Sequence, residues 1–124
     1  MDIIVFHCSP YLIDKFNFDN GIHFGSKRSA LIAGKRKLYN LKTYKGYKQN
    51  TLYMYTFILS TSNKVFNNHE TDDMGNDWVE YKNTIMKRDN LSFISYRNKY
   101  EPDYYPSYYV INPDCIKLIS TEII

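Results

Sequence analysis

Polar residues stand at the ends of two short apolar segments and at the start of a third. His7 closes the apolar run Asp2–His7, and Cys8 and Ser9 follow it directly. Residues 23–26 end a second short segment, and residues 98–107 lead into an aromatic one. Polar side chains at strand ends converge on a cleft more readily than those in the middle of a helix. These groups therefore predict a shared binding cleft.

The spacing of these residues excludes several common kinds of catalytic site. Only three residues separate Gly21 from Gly25, whereas the phosphate-binding loop of nucleotide hydrolases has four. The chain has no Gly-x-Ser-x-Gly motif, which disfavours an α/β-hydrolase. Neither the histidines nor the cysteines show metal-ligating spacing (His7, His23 and His69; Cys8 and Cys115). We expect reduced thiols and no metal site.

Half of the basic residues lie in one stretch of the chain. Residues 27–48 contain eight of the 16 basic residues and no acidic residue (Lys27, Arg28, Lys35, Arg36, Lys37, Lys42, Lys45 and Lys48). Such a stretch suits nucleic acid, an acidic protein or a nucleotide phosphate as a partner. A solvated helix face followed by a lysine-rich loop is the alternative interpretation.

Length and composition indicate one folded domain, residues 1–124. The chain is too short for two cores, and 44% hydrophobic with 23% charged residues is typical of globular proteins. Aromatic residues make up 17% of the chain, and 13 of them are tyrosines, which suit half-wet strands and ligand clefts. The N-terminal segment has no basic stretch before its apolar run and turns polar early. We therefore expect a cytosolic protein without a membrane partner.

The elements that must position the polar residues predict an α+β domain. Two helices are expected, one over Lys27–Leu38 with Ser26 as its N-cap and one over Met74–Arg88 capped by Asp72 or Asp73. Residues 39–50 are expected to form a loop. Alternation predicts the strands Asp2–His7, Gly21–Phe24, Thr51–Ser60, Ser62–Phe66, Leu91–Tyr96, Ser107–Asn112 and Cys115–Ser120. The strand over Thr51–Ser60 is apolar on both faces and therefore central. Two helices among these strands favour a mostly antiparallel, split sheet.

Three motifs in order resemble a known family. They are Phe6-His7-Cys8-Ser9-Pro10, then Gly21-Ile22-His23-Phe24-Gly25-Ser26 leading to Ala30, then Tyr96-Arg97-Asn98-Lys99-Tyr100-Glu101 with the segment Ser107–Lys117. Together with the connecting elements they cover nearly the whole chain. They resemble the ADP-ribosyltransferase fold, with the nearest likeness to small phage and bacterial versions.

The resemblance implies a split antiparallel sheet with a cleft for NAD as the substrate. It places His7 against the adenosine ribose, Ser9 at the same end of the dinucleotide, and His23 and Phe24 near the nicotinamide, where a flat cationic ring is attracted to a π face. Tyr55, or Tyr53, would add to that wall. The full set of NAD-binding residues it implies is His7, Cys8, Ser9, His23, Phe24, Gly25, Ser26, Tyr55, Asn98 and Ser107.

The implied reaction needs a carboxylate beside the ribose. Breaking the nicotinamide–ribose bond builds positive charge on the sugar, and a fixed anion stabilises that transition state. Glu101 is the candidate for this anion, with Asp103 as the substitute and His7 as the second catalytic residue. The chain departs from the family at two positions. Cys8 replaces the usual glycine, and Ser107 stands where many members carry their glutamate.

Three functions follow as hypotheses. The first is a mono-ADP-ribosyltransferase effector, encoded by a phage or other mobile element, that modifies a host or defence protein and reads it through Lys35, Arg36 and Lys37. The second is a catalytically inert domain of the same fold that inhibits by binding a defence protein, in the manner of an anti-CRISPR protein. The third is a basic domain that binds nucleic acid through residues 27–48 and stacks its tyrosines on bases.

Overall fold

Six strands and two helical segments form within residues 2–61, 77–98 and 105–124, which are the residues that our computed structural model describes. The strands are β1 (Asp2–Ser9), β2 (Ile22–Phe24), β3 (Tyr53–Ser60), β4 (Phe93–Tyr96), β5 (Ser107–Val110) and β6 (Ile116–Ile123). Helix α1 spans Lys27–Lys45, and α2 spans Trp78–Tyr81 before continuing as π-helical turns over Lys82–Met86. The predicted strand Ser62–Phe66 lies outside the described residues.

The strands form two antiparallel sheets that meet at one residue pair. The first sheet has the order β1-β3-β6 and the second β2-β5-β4. The amide of Phe6 donates to the Gly25 carbonyl at 2.9 Å, and the amide of Gly25 donates to the Phe6 carbonyl at 3.0 Å. This pair joins β1 to the residue that follows β2. The predicted α+β class with a split, antiparallel sheet and two helices is confirmed.

Strand β3 lies in the middle of its sheet and is covered on both faces. On one face Tyr55, Phe57 and Leu59 are buried against the second sheet, together with Phe24 and other core residues. On the opposite face Met54 packs with residues of α1 and β1. Both faces of β3 are therefore apolar because both are buried, as the sequence predicts for a central strand.

Helix α1 is longer than its sequence pattern predicts. The Ser26 hydroxyl accepts the Ser29 amide at 3.1 Å and begins the helix where expected. The helix then continues through residues 39–45, which were predicted to be a loop, and ends at Gly46, whose φ of 68° gives the left-handed conformation that terminates helices. The prediction was wrong because these residues carry few apolar side chains, and the C-terminal glycine decides the end. No helix in the described ranges is long and apolar enough to cross a membrane.

The second helical segment packs on the outer face of the second sheet. Trp78 and Met86 are buried there against Ile94, Tyr96 and Tyr109. The predicted helix Met74–Arg88 agrees with the part that is described, while its predicted start and caps (Asp72, Asp73 and Met74) lie outside the described residues.

Gly34 brings α1 into close contact with β1. A Cβ atom at this position would lie 2.5 Å from Cys8 Sγ and 2.9 Å from Cys8 Cβ. Both distances are shorter than real carbon contacts, so the helix packs here only because residue 34 has no side chain. The side chain of Cys8 in β1 is therefore accommodated by a glycine in α1.

We expect Gly34→Ala to destabilise the fold. Overpacking of this kind costs about 1–3 kcal/mol, which outweighs the gain of about 1 kcal/mol in helix propensity on replacing glycine. Thermal and denaturant unfolding would measure the loss. Cys8→Ala in the same background should recover part of it by removing Sγ. Equal or higher stability of Gly34→Ala would contradict the close contact.

Candidate functional site

The two sheets separate directly after the Phe6–Gly25 pair. In an antiparallel ladder the next hydrogen-bonded pair would join Cys8 to His23. Instead, Nδ1 of His7 lies 3.0 Å from the His23 carbonyl oxygen. The imidazole donates to the His23 carbonyl, which the Cys8 amide would use in a continuous ladder, and it lies between the two strands.

The backbone of Cys8 faces the gap between β1 and β2 beside the His7 side chain. A strand residue points its N–H and C=O to the same side, and the side alternates along the strand. Phe6 points both groups at Gly25, so Cys8, two residues on, points both groups the same way. Among the described residues no backbone hydrogen bond reaches Cys8 across the gap. The gap therefore presents an adjacent donor and acceptor to a ligand.

A cavity of about 120 Å³ occupies the gap. It is lined by the end of β1, by β2, by the first turns of α1, by the end of β4 and by the first residue of β5. Seven of the ten residues predicted to bind NAD lie in this lining: His7, Cys8, His23, Phe24, Gly25, Asn98 and Ser107. The fold therefore gathers segments that are far apart in the sequence around one cavity.

His7 is held in a neutral, accepting state. Burial is the largest influence and lowers its pKa, Lys37 lowers the pKa further, and the hydrogen bond to the His23 carbonyl opposes both. A carbonyl only accepts, so Nδ1 must carry the proton and donate it. In the neutral ring Nε2 then holds a lone pair. No described residue occupies that nitrogen, so it can accept a hydrogen bond from a ligand hydroxyl.

Ser107 presents a buried hydroxyl to the cavity. It is only 2% exposed and lies in the lining of the cavity. No carboxylate lies among the described residues of the lining. Glu101 and Asp103, the predicted catalytic carboxylates, lie outside the described residues.

His23 and Phe24 point to opposite faces of β2, as neighbouring strand residues do. Nδ1 of His23 lies 2.8 Å from the Tyr96 hydroxyl, and the ring contacts Trp78 on the outer face. Phe24 is 2% exposed and packs against Phe57 in the core. Both residues border the cavity, but the face of Phe24 is already covered. The predicted contact of both residues with one nicotinamide ring stays a prediction.

The other predicted NAD-binding residues have structural partners instead. Tyr55 is fully buried, and its hydroxyl accepts the Ile13 amide at 2.7 Å and donates to the Tyr11 carbonyl at 3.0 Å. It therefore holds the segment after β1 and does not form the wall of the cavity. Ser9 Oγ accepts the Tyr11 amide at 3.1 Å, and Ser26 Oγ caps α1. None of these three lines the cavity.

Helix α1 contributes residues that the sequence analysis did not assign to the site. Ser29, Ala30 and Ala33 form one side of the cavity. Their small side chains at spacings of 3 and 4 on one helix face are the signal that could have identified them. Small residues at the start of the helix let it approach the gap between the strands.

The three residues predicted to read the target do not share one surface. Arg36 and Lys37 line a groove of about 430 Å³ along α1, together with Ala33. Successive helix residues are about 100° apart, so Lys35 stands about 200° from Lys37 around the axis. Lys35 therefore lies on the opposite flank of the helix, and the role of the three residues in binding a target stays a prediction.

Comparisons with known proteins add no relative to these findings. No family model, no curated protein and no solved structure matches the chain. Within the described ranges, no group of three or more histidine, cysteine or acidic residues is arranged to hold a metal ion. The site is therefore interpreted from its own geometry.

We expect His7 to make stability depend on pH. Its pKa in the folded protein lies below its ordinary value of 6.5. The unfolded state therefore binds more protons as the pH falls below 6.5, and the stabilising contribution, fully present above pH 6.5, is lost as the pH drops towards the folded-state pKa.

His7→Asn removes the titrating group. Denaturant unfolding at about pH 7.5 and about pH 5.5 should therefore show a smaller loss of stability in this variant than in the natural protein. An equal loss in the two proteins would contradict the buried, neutral state of His7.

Proposed function

We propose that this chain binds NAD in the cavity between β1 and β2 and transfers ADP-ribose to a macromolecule of a host or of a defence system. The observation that carries the proposal is the gathering of seven residues of the motifs around one cavity at the split between two antiparallel sheets. Those motifs are the ones that resemble the ADP-ribosyltransferase fold. The proposed substrate is therefore the one that this fold implies.

The size and polarity of the cavity support a ring-sized end of the dinucleotide. Sites for a whole drug-sized ligand run to about 300–1,000 Å³, whereas this cavity measures about 120 Å³. The cavity is large enough for the nicotinamide ring, and the rest of the NAD molecule would lie outside it. A carboxamide needs one donor and one acceptor side by side, which the backbone of Cys8 offers. Nε2 of His7 is suited to accept a proton from a ribose hydroxyl.

The proposed reaction exchanges one bond at the ribose carbon for another. The bond from this carbon to the nicotinamide nitrogen breaks, and its electron pair leaves with neutral nicotinamide. The acceptor atom of the target then bonds to the carbon and loses its proton. Glu101 is the proposed anion that stabilises the positive sugar between these events. Its place in the motif that contains Asn98, which lines the cavity, supports this role.

A second candidate is a domain that binds its ligand or partner through the same fold without catalysis. Ser107 favours it, because a buried hydroxyl stands where many members of the family carry their glutamate. A serine offers hydrogen bonds but no negative charge. Binding of NAD and its cleavage must therefore be measured separately.

We expect His7→Asn to weaken NAD binding by about fivefold. The loss of one hydrogen bond to a ligand is worth about 1 kcal/mol, and the asparagine amide can still donate to the His23 carbonyl. Isothermal titration of the purified protein with NAD measures the affinity. Thr121→Ala on the exposed strand β6 is the control. Absence of NAD binding by the natural protein would overturn the proposal.

Transfer is tested with labelled NAD in a bacterial lysate, with label measured on protein and on nucleic acid. Glu101→Gln should keep NAD affinity and lower transfer by about 100-fold or more, the usual effect of removing such an electrostatic group. Asp103→Asn is the matched control and should leave transfer unchanged. The reverse pattern would move the role to Asp103. NAD binding without transfer or nicotinamide release by any form would establish the second candidate.

A further inference from the structure

A groove along one face of α1 shares one lining residue with the cavity. Ala33, Lys37, Asn40 and Tyr44 follow one another at spacings of 4, 3 and 4 and line a volume of about 430 Å³. Ala33 also lines the cavity between the sheets. From Ala33 to the end of the helix the groove extends about 18 Å at 1.5 Å per residue. It therefore runs from beside the candidate site to the C-terminal end of α1.

The groove carries positive charge that no described acid neutralises. Lys37 and Lys45 line it and form no ion pair within the described part of the chain. The Lys37 ammonium lies 5.2 Å from the centre of the Tyr11 ring and also lowers the pKa of His7. The field of the groove thus reaches into the cavity.

An exposed aromatic ring stands among these cations. Tyr44 lines the groove, is 75% exposed, and contacts no other aromatic ring of the described residues. Most of the residue is therefore accessible to a flat partner. Tyr39 is also exposed, but it projects from the opposite flank of the helix.

We infer that this groove binds a single-stranded nucleic acid and directs it to the cavity. Phosphates complement the unpaired lysines, and an exposed tyrosine ring stacks on an unpaired base of any sequence. An acidic protein is the weaker match, because lysine is depleted in protein–protein interfaces whereas protein–nucleic acid interfaces are strongly positive.

The inference goes beyond the proposed function and does not depend on it. Binding of a strand to the groove requires neither NAD nor Glu101, so it is measured with the purified protein alone. Failure of NAD binding and failure of strand binding are therefore separate results.

The charge of the groove is tested with two matched double variants of α1. Lys37→Gln with Lys45→Gln removes two lysines of the groove, and Lys35→Gln with Lys42→Gln removes two from the opposite flank. Fluorescence anisotropy of a labelled oligothymidylate should show an affinity at least about tenfold weaker for the first variant and nearly unchanged for the second. The salt slope should fall by about 1.4 for the first variant, or about 0.7 for each lost phosphate contact.

The aromatic contact is tested with the pair Tyr44→Ala and Tyr39→Ala. The first should weaken oligothymidylate binding about tenfold and the second should leave it unchanged, since stacking on an exposed ring contributes at that level. Equal effects of the matched variants, or no binding by the natural protein, would overturn the inference. Tighter binding of a polyglutamate peptide through the same lysines would replace it with an acidic protein partner. Equal affinity for duplex DNA, independent of Tyr44, would exclude the single-strand form.

Discussion

The pair of backbone hydrogen bonds between Phe6 and Gly25 is the constraint on which the site depends. It joins the two sheets, and α1 begins directly after it at the Ser26 cap. A Cβ atom at Gly25 would lie 3.2 Å from Ser29 Oγ and 3.4 Å from Ser107 Oγ, so the close approach of these residues needs a small residue at this position. This pair of hydrogen bonds thus holds the start of α1 close to β1 and to the end of β2, where the cavity lies.

His7 turns this junction into a site. By donating to the His23 carbonyl it satisfies an acceptor that separation of the strands would leave open, so the gap forms without an unpaired carbonyl. Burial and the nearby Lys37 keep the ring neutral. The positive field that has this effect favours phosphates in general, those of a dinucleotide and those of a strand alike. Charge alone would therefore not distinguish the two proposed ligand classes, which differ in the shape of the cavity or groove that they need.

The sequence predicted what depends on local pattern. The central strand Tyr53–Ser60 was evident because both its faces are apolar, and Ser26 was evident as a cap. The pattern did not distinguish the core from the wall of a cleft, so Tyr55 was placed in the site although its hydroxyl holds the segment after β1. The small residues on one face of α1 were a signal for Ala33, but which part of that face borders the cavity depends on how α1 lies across the gap between the sheets.

The chemistry at Ser107 makes binding and catalysis separable in this chain. Its buried hydroxyl can exchange hydrogen bonds with a ligand, but it cannot stabilise a cation as a carboxylate does. An anion at that depth would require a positive partner, and no lysine or arginine lies among the described residues of the lining. The cavity is therefore built for a neutral group at this point. A negative charge that stabilises the transition state of the proposed reaction would have to come from outside the described lining, and Glu101 is the candidate for it.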